Sequence, residues 1–93
     1  MKMMIVIVKD NESEALTRAL IGAQYRVTGI SSTGGFLRSG VTTLLIGVDD
    51  AQVAAATELI RTTVTASRSE HAEDPAVKRA TLFVVPVSRF EQI

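Results

Sequence analysis

Cysteine is absent from this sequence of 93 residues, and so is any excess of charge of one sign. Without cysteine the chain can form neither a disulfide framework nor a thiolate metal site. Ten basic residues balance ten acidic ones, whereas a general binder of the nucleic-acid backbone carries a basic surplus. The length predicts a single domain over residues 1–93 that buries a modest share of its surface when it folds alone.

A long hydrophobic run is also lacking. The apolar stretch at residues 1–8 stops at Lys9 and Asp10, which makes it too short to span a bilayer. It has no small-residue cleavage site, so we expect neither a transmembrane helix nor a signal peptide. The sequence therefore predicts a cytoplasmic protein.

The spacing of apolar residues predicts four strands, at residues 3–8, 25–31, 42–48 and 80–87. Asn11 and Glu14 have the spacing of a helix cap and its reciprocal partner, and apolar residues then recur on one helical face until near Gly22. Asp49 and Gln52 repeat this pattern before a second amphipathic helix, whose last apolar residue is at position 64. Residues 65–79 are polar and predict a surface loop.

The resulting β-α-β-β-α-β order predicts an α+β ferredoxin-like fold, in which both helices cover one face of a four-stranded antiparallel sheet. Strands one, three and four carry apolar residues on both faces, although an antiparallel sheet with one wet face should alternate. Because a monomer rarely exposes a large apolar patch, we expect an oligomer that buries the second face.

The stretch at residues 32–48 begins as a polar loop and ends as a buried strand. Gly34 and Gly35 permit backbone conformations that other residues avoid, and they let a ligand approach closely. Phe36, Leu37 and Arg38 follow where a short connection would be polar. The combination favours a binding loop, and the alternative is that Phe36 folds back onto the core.

Several stretches of the chain form one recognisable pattern: residues 1–8, Arg26 and Thr28, Ser-Thr-Gly-Gly-Phe-Leu-Arg-Ser-Gly at residues 32–40, Thr42-Thr43, Gly47-Val48, and the ending at residues 83–92. In these stretches the whole chain resembles the PII-like cyclic di-AMP receptor family of Gram-positive and related bacteria. The resemblance implies a homotrimer that binds cyclic di-AMP in clefts between its subunits, without catalysis and without a cofactor.

The positions that match the family's binding residues are Arg26, Thr28, Gly35, Phe36, Leu37, Val41, Gly47 and Gln92. A cyclic dinucleotide offers purine faces, purine edges and two phosphate charges. Phe36 can stack on a base, and backbone N–H groups at residues 35–37 can form an anion-binding concavity. Arg26 and Thr28 place a charge and a hydroxyl on one face of their strand, Gly47 leaves room, and the Gln92 amide suits an adenine edge. The alternatives are an ordinary exposed arginine at position 26 and a frayed terminal residue at position 92.

The chain departs from the family pattern at two places. Val41 stands where family members commonly have asparagine, so one polar ligand contact is missing. The loop at residues 65–79 is shorter than usual and lacks a glycine-rich stretch, which puts the family's route to an unknown downstream protein in question. His71, Glu73 and Asp74 lie in this polar segment and predict a solvated surface rather than a metal site.

Other functions remain open at this point. The chain could be a PII-type sensor of ATP or ADP, or a degenerate member that binds no ligand, and it lacks a P-loop lysine motif for nucleotide hydrolysis. An RNA-binding module of this topology would show aromatic residues on its central strands, but strands one and three have none. An enzyme would need a convergent acid–base pair, and Arg26, Thr28 and Arg38 supply no base.

Overall fold

A computed structural model describes the backbone of residues 1–31, 40–71 and 80–93. The strands are β1 (Lys2–Lys9), β2 (Arg26–Ser31), β3 (Val41–Val48) and β4 (Ala80–Pro86), and the helices are α1 (Asp10–Gly22) and α2 (Val53–His71). A short 3-10 turn, Asp50–Gln52, leads into α2. The predicted β-α-β-β-α-β order is therefore confirmed.

The four strands form one antiparallel sheet in the order β2-β3-β1-β4. The strands β3 and β1 are central, and β2 and β4 form the two edges. Pro86 is the last residue of β4 and pairs with Lys2. Proline has no backbone N–H, and an edge strand tolerates it because one side of the strand makes no ladder hydrogen bonds. This arrangement is the strand order of the ferredoxin-like fold.

The core lies between the sheet and the two helices. Alternate residues of β1 and β3 point toward the helices, since side chains along a strand point to opposite faces. Both helices pack on this same face, which confirms the predicted layers. The core residues are Met4, Val6 and Val8 of β1, Leu44, Ile46 and Val48 of β3, Leu16 and Leu20 of α1, and Ala56, Ile60 and Val64 of α2.

The other side of the sheet, called the open face below, is also largely apolar. It carries the residues that alternate with the core positions: Met3, Ile5 and Ile7 of β1, Arg26, Thr28 and Ile30 of β2, Val41, Thr43, Leu45 and Gly47 of β3, and Thr81, Phe83 and Val85 of β4. Neither helix covers it, and Ile30 and Phe83 remain 43% and 50% exposed. The prediction of strands that are apolar on both faces is confirmed, whereas the oligomer stays a prediction.

Two predictions about the helices were wrong. Helix α1 begins at Asp10 after Lys9, without a side-chain cap, so Asn11 does not cap it. Helix α2 continues to His71, so residues 65–71 are helical rather than part of a loop. Serine and threonine only mildly disfavour helix, and residues 53–74 contain neither glycine nor proline. The start before α2 is as predicted: the Asp49 N–H donates to Oε1 of Gln52 over 2.9 Å.

Neither of the two described helices is long and apolar enough to cross a membrane.

Candidate functional site

A pocket opens at the end of the open face where β2 begins and β3 ends. We call it the strand-end pocket, and its volume of 590 Å³ lies in the range typical of small-molecule sites. Arg26 pairs with Gly47 and Thr28 with Leu45 across the two strands, which places all four at its wall. Met3 adds a side chain from β1. The remaining lining comes from the two chain ends, through Met1, Lys2, Val87, Arg89, Phe90 and Gln92, and from Ile46.

Among the charged residues that line this pocket, Arg26 is hydrogen-bonded to a neutral side chain. Its Nη1 donates to Oε1 of Gln92 over 3.2 Å, a contact between residues 66 positions apart in the chain. Within the described parts of the chain, no carboxylate forms an ion pair with Arg26. The other arginines whose side chains the structure describes are each paired with a glutamate: Arg18 with Glu14, Arg61 with Glu58, and Arg89 with Glu91. Arg26 therefore offers a positive charge that an anionic ligand can use.

Gly47 keeps the floor of the pocket open. A Cβ atom at this position would lie 3.7 Å from Cε of Met1, which is an ordinary van der Waals contact. Packing within the free chain therefore does not require glycine here. What the missing side chain provides is space beside Arg26 on the open face, so that a ligand can approach the strand backbone.

The C-terminal tail, residues 87–93, is held against the pocket at two points. The Val87 N–H donates to the carbonyl of Met1 over 3.1 Å, which continues the pairing of β4 with β1 beyond Pro86. Further along, Gln92 accepts the hydrogen bond from Arg26. The tail thus brings Gln92 to Arg26, in the pocket that Gly47 also lines, and the ligand-binding role of Gln92 stays a prediction.

Two further basic residues, Lys2 and Arg89, line the pocket together with Arg26. Arg89 is bonded to the carboxylate of Glu91. The α-amino group of Met1 lies 3.1 Å from the Asp50 carboxylate. This hydrogen bond, together with the charge of Lys2, lowers the pKa of Asp50. Of the two arginines that line the pocket, Arg89 is therefore paired with a carboxylate, whereas Arg26 meets the neutral amide of Gln92.

Val41 lies at the opposite end of β3, away from the strand-end pocket. It pairs with Lys9, whereas Gly47 pairs with Met3, so the two residues are separated by about 20 Å at roughly 3.3 Å per residue. Gly40, just before Val41, has φ +86°, a conformation that favours glycine. Its carbonyl accepts a 2.9 Å hydrogen bond from the Asp10 N–H, and Thr42 Oγ1 donates to Asp10 Oδ1 over 2.6 Å. The loop between β2 and β3, residues 32–40, is called the central loop below, and its last residue is therefore anchored to α1.

The structure thus brings together four of the predicted site residues, Arg26, Thr28, Gly47 and Gln92, and separates them from Val41. Gly35, Phe36 and Leu37 lie outside the described residues. Sequence reasoning missed Lys2, Arg89 and Phe90 as pocket residues. The Arg-Phe-Glu-Gln run at residues 89–92 was the available signal, because an aromatic and a cation flank a residue already assigned to the site.

The side chains that the structure describes include no candidate metal site. Across residues 1–31, 40–71 and 80–93, no three histidine, aspartate or glutamate side chains are grouped so that they could hold a metal ion. Glu73, Asp74 and the side chain of His71 lie outside what the structure describes, so the predicted solvated surface there stays a prediction.

Two comparisons with known proteins bear on this geometry. The family model described as "Cyclic-di-AMP receptor" matches residues 1–75 of the chain. Among solved structures, a functionally unknown protein from Pediococcus pentosaceus ATCC 25745 is 33% identical, with a TM-score of 0.70. That match covers 99% of this chain and 96% of the other.

Proposed function

Because the chain belongs to the cyclic-di-AMP receptor family, we propose that it binds cyclic di-AMP and acts as a cytoplasmic signal receptor without catalysing a reaction. The observation that carries the proposal is the charge of Arg26. This guanidinium contacts a neutral amide and stands beside Thr28 and Gly47 in a pocket of suitable size. A ligand with two phosphate charges and two adenine bases complements such a pocket.

Each of the four gathered residues has a defined role in this proposal. Arg26 binds a phosphate, since a guanidinium has five N–H donors and Gln92 accepts from only one of its nitrogen atoms. The Thr28 hydroxyl adds a neutral hydrogen bond on the same face of β2. The Gln92 amide reads an adenine edge while it holds Arg26 in place, and Gly47 leaves space for the ligand.

We further propose that the ligand lies between subunits. The central loop leaves β2 after Ser31 and re-enters β3 at Val41, whereas Arg26 and Gly47 occupy the far ends of these strands. Within one chain the two places are separated by about 17–20 Å. A single ligand that contacts both the loop residues Gly35, Phe36 and Leu37 and the strand-end pocket is accommodated best when the loop comes from a neighbouring subunit.

The open face supports an assembly that is a homotrimer, as in the PII-like proteins that this sequence resembles. Ile30 and Phe83 are about half exposed there, and the central strands beside them carry further apolar side chains. Burying this face in a trimer removes an apolar surface that monomers rarely expose. Light scattering after gel filtration should give three times the chain mass of 10.0 kDa. A monomer at micromolar concentration would contradict both the trimer and the intersubunit site.

The function is tested by calorimetric titration with cyclic di-AMP, cyclic di-GMP, ATP and ADP. We expect cyclic di-AMP to bind most tightly, with one ligand per chain. The departure at Val41 favours one alternative, a PII-type sensor of ATP or ADP, and tighter binding of either mononucleotide would decide for it. If none of the four ligands binds, the chain is a degenerate member that has kept the family's fold and lost its ligand binding.

A further inference from the structure

Phe90 is an aromatic residue that lies in the strand-end pocket without being part of the core. It lines the pocket together with Arg26 and Gly47, yet 56% of its surface is exposed. The sequence contains only three phenylalanines and one tyrosine, so an aromatic side chain left half in solvent beside a ligand pocket is a notable use of a scarce residue type.

The position of Phe90 is fixed by tethers on both sides. Three residues earlier, the Val87 N–H is hydrogen-bonded to Met1, and two residues later, the Gln92 side chain accepts from Arg26. The adjacent Arg89 is bonded to Glu91. The short segment between these hydrogen bonds places Phe90 at the pocket.

A cyclic dinucleotide presents base faces on which an aromatic side chain such as that of Phe90 can stack. The ligand has two bases, and each base has a face that an aromatic ring can cover. Phe36 can serve one of them from the central loop. Phe90 and Arg26 line the same pocket, so a base bound beside a phosphate at Arg26 would lie within reach of the Phe90 ring.

We infer that Phe90 stacks on one adenine of the bound ligand, so that the C-terminal tail supplies a second aromatic contact to the site. This inference rests on the proposed function, because it assigns a base-binding role within that same pocket. It makes the tail a two-part recognition element in which Gln92 reads a base edge and Phe90 covers a base face.

The test compares Phe90→Ala, Phe90→Leu and Phe90→Tyr with the unmodified protein, by calorimetry with cyclic di-AMP and by light scattering. Phe90→Ala should weaken binding roughly tenfold or more, as expected for the loss of one stacked base. Phe90→Tyr should bind within about threefold of the unmodified protein because it keeps the aromatic face. Phe90→Leu keeps apolar bulk without an aromatic face and should bind more weakly than Phe90→Tyr.

Ile21→Ala is the matched control. Ile21 is 57% exposed, as Phe90 is, but it lies on α1 outside the pocket, and its truncation should leave ligand affinity unchanged. If the unmodified protein binds cyclic di-AMP and Phe90→Ala binds equally well, the inference is overturned while the proposed function stands. If Phe90→Ala changes the molar mass of the assembly measured by light scattering, or substantially lowers the melting temperature, Phe90 is a packing residue. If the unmodified protein does not bind cyclic di-AMP, the proposed function itself fails, and the inference with it.

Discussion

Replacing Arg26 with glutamine should separate ligand binding from folding. In the free protein Arg26 is exposed and makes one hydrogen bond of 3.2 Å to a neutral amide, whose loss costs at most about 0.5–1.5 kcal/mol of stability. In the complex the lost contact is a hydrogen bond between a cation and a phosphate, worth about 1.5–3 kcal/mol. Affinity for cyclic di-AMP should therefore fall roughly tenfold to 150-fold.

The chain offers a matched control for this substitution. Arg18→Gln removes the same charge from α1, where Arg18 forms an exposed pair with Glu14 that is worth only a few tenths of a kcal/mol. Calorimetry at two salt concentrations should show weakened binding for Arg26→Gln alone, together with a smaller dependence of its affinity on salt. Equal affinities for the two variants would refute the role of Arg26. A large fall in melting temperature with unchanged affinity would assign Arg26 to the fold instead.

Three further substitutions probe the rest of the site. Gly47→Ala adds a methyl group to the pocket, so calorimetry should show weaker binding of cyclic di-AMP. The melting temperature should stay the same or rise, because glycine within a strand destabilises the fold by about 0.5–1 kcal/mol relative to alanine. Unchanged affinity would mean that the ligand does not approach Gly47. Phe36→Ala should weaken binding roughly tenfold or more with little effect on thermal stability. A large melting-temperature drop with unchanged affinity would identify Phe36 as a core residue. Val41→Asn can restore a hydrogen bond worth about 0.5–1.5 kcal/mol, so it should tighten cyclic di-AMP binding several-fold and ATP binding less; an equal effect on both ligands would contradict this role.

Most of the fold could be predicted because its determinants are local. Each predicted strand end lies within one residue of its position in the structure. Strands are easy to place because alternation and β-branched runs directly reflect the burial of a sheet. The end of α2 could not be placed from polarity alone. Residues 65–71 are polar and still helical, because a surface helix needs no apolar residue in its last turns when nothing in the sequence stops it.

The site was predicted less completely than the fold. Arg26 and Thr28 follow from the two-residue period of β2, and both do face the pocket. Arg89 and Phe90 were missed because their places depend on how the tail continues past β4 and crosses to Arg26, which is a long-range contact. The separation of Val41 and Gly47, by contrast, could be predicted from the sequence. Both residues belong to one strand, and the rise per residue of a strand sets the distance between them.

The placement of Val41 and Gly47 at opposite ends of one strand has a thermodynamic consequence. If each ligand joins the loop end of one chain to the strand end of the next, ligand binding and chain association are linked equilibria, and each strengthens the other by the same factor. Dilution would then lower the apparent affinity for the nucleotide, and saturating nucleotide would slow the exchange of subunits between trimers. A cell holding such a protein would register the abundance of the receptor together with the concentration of the messenger.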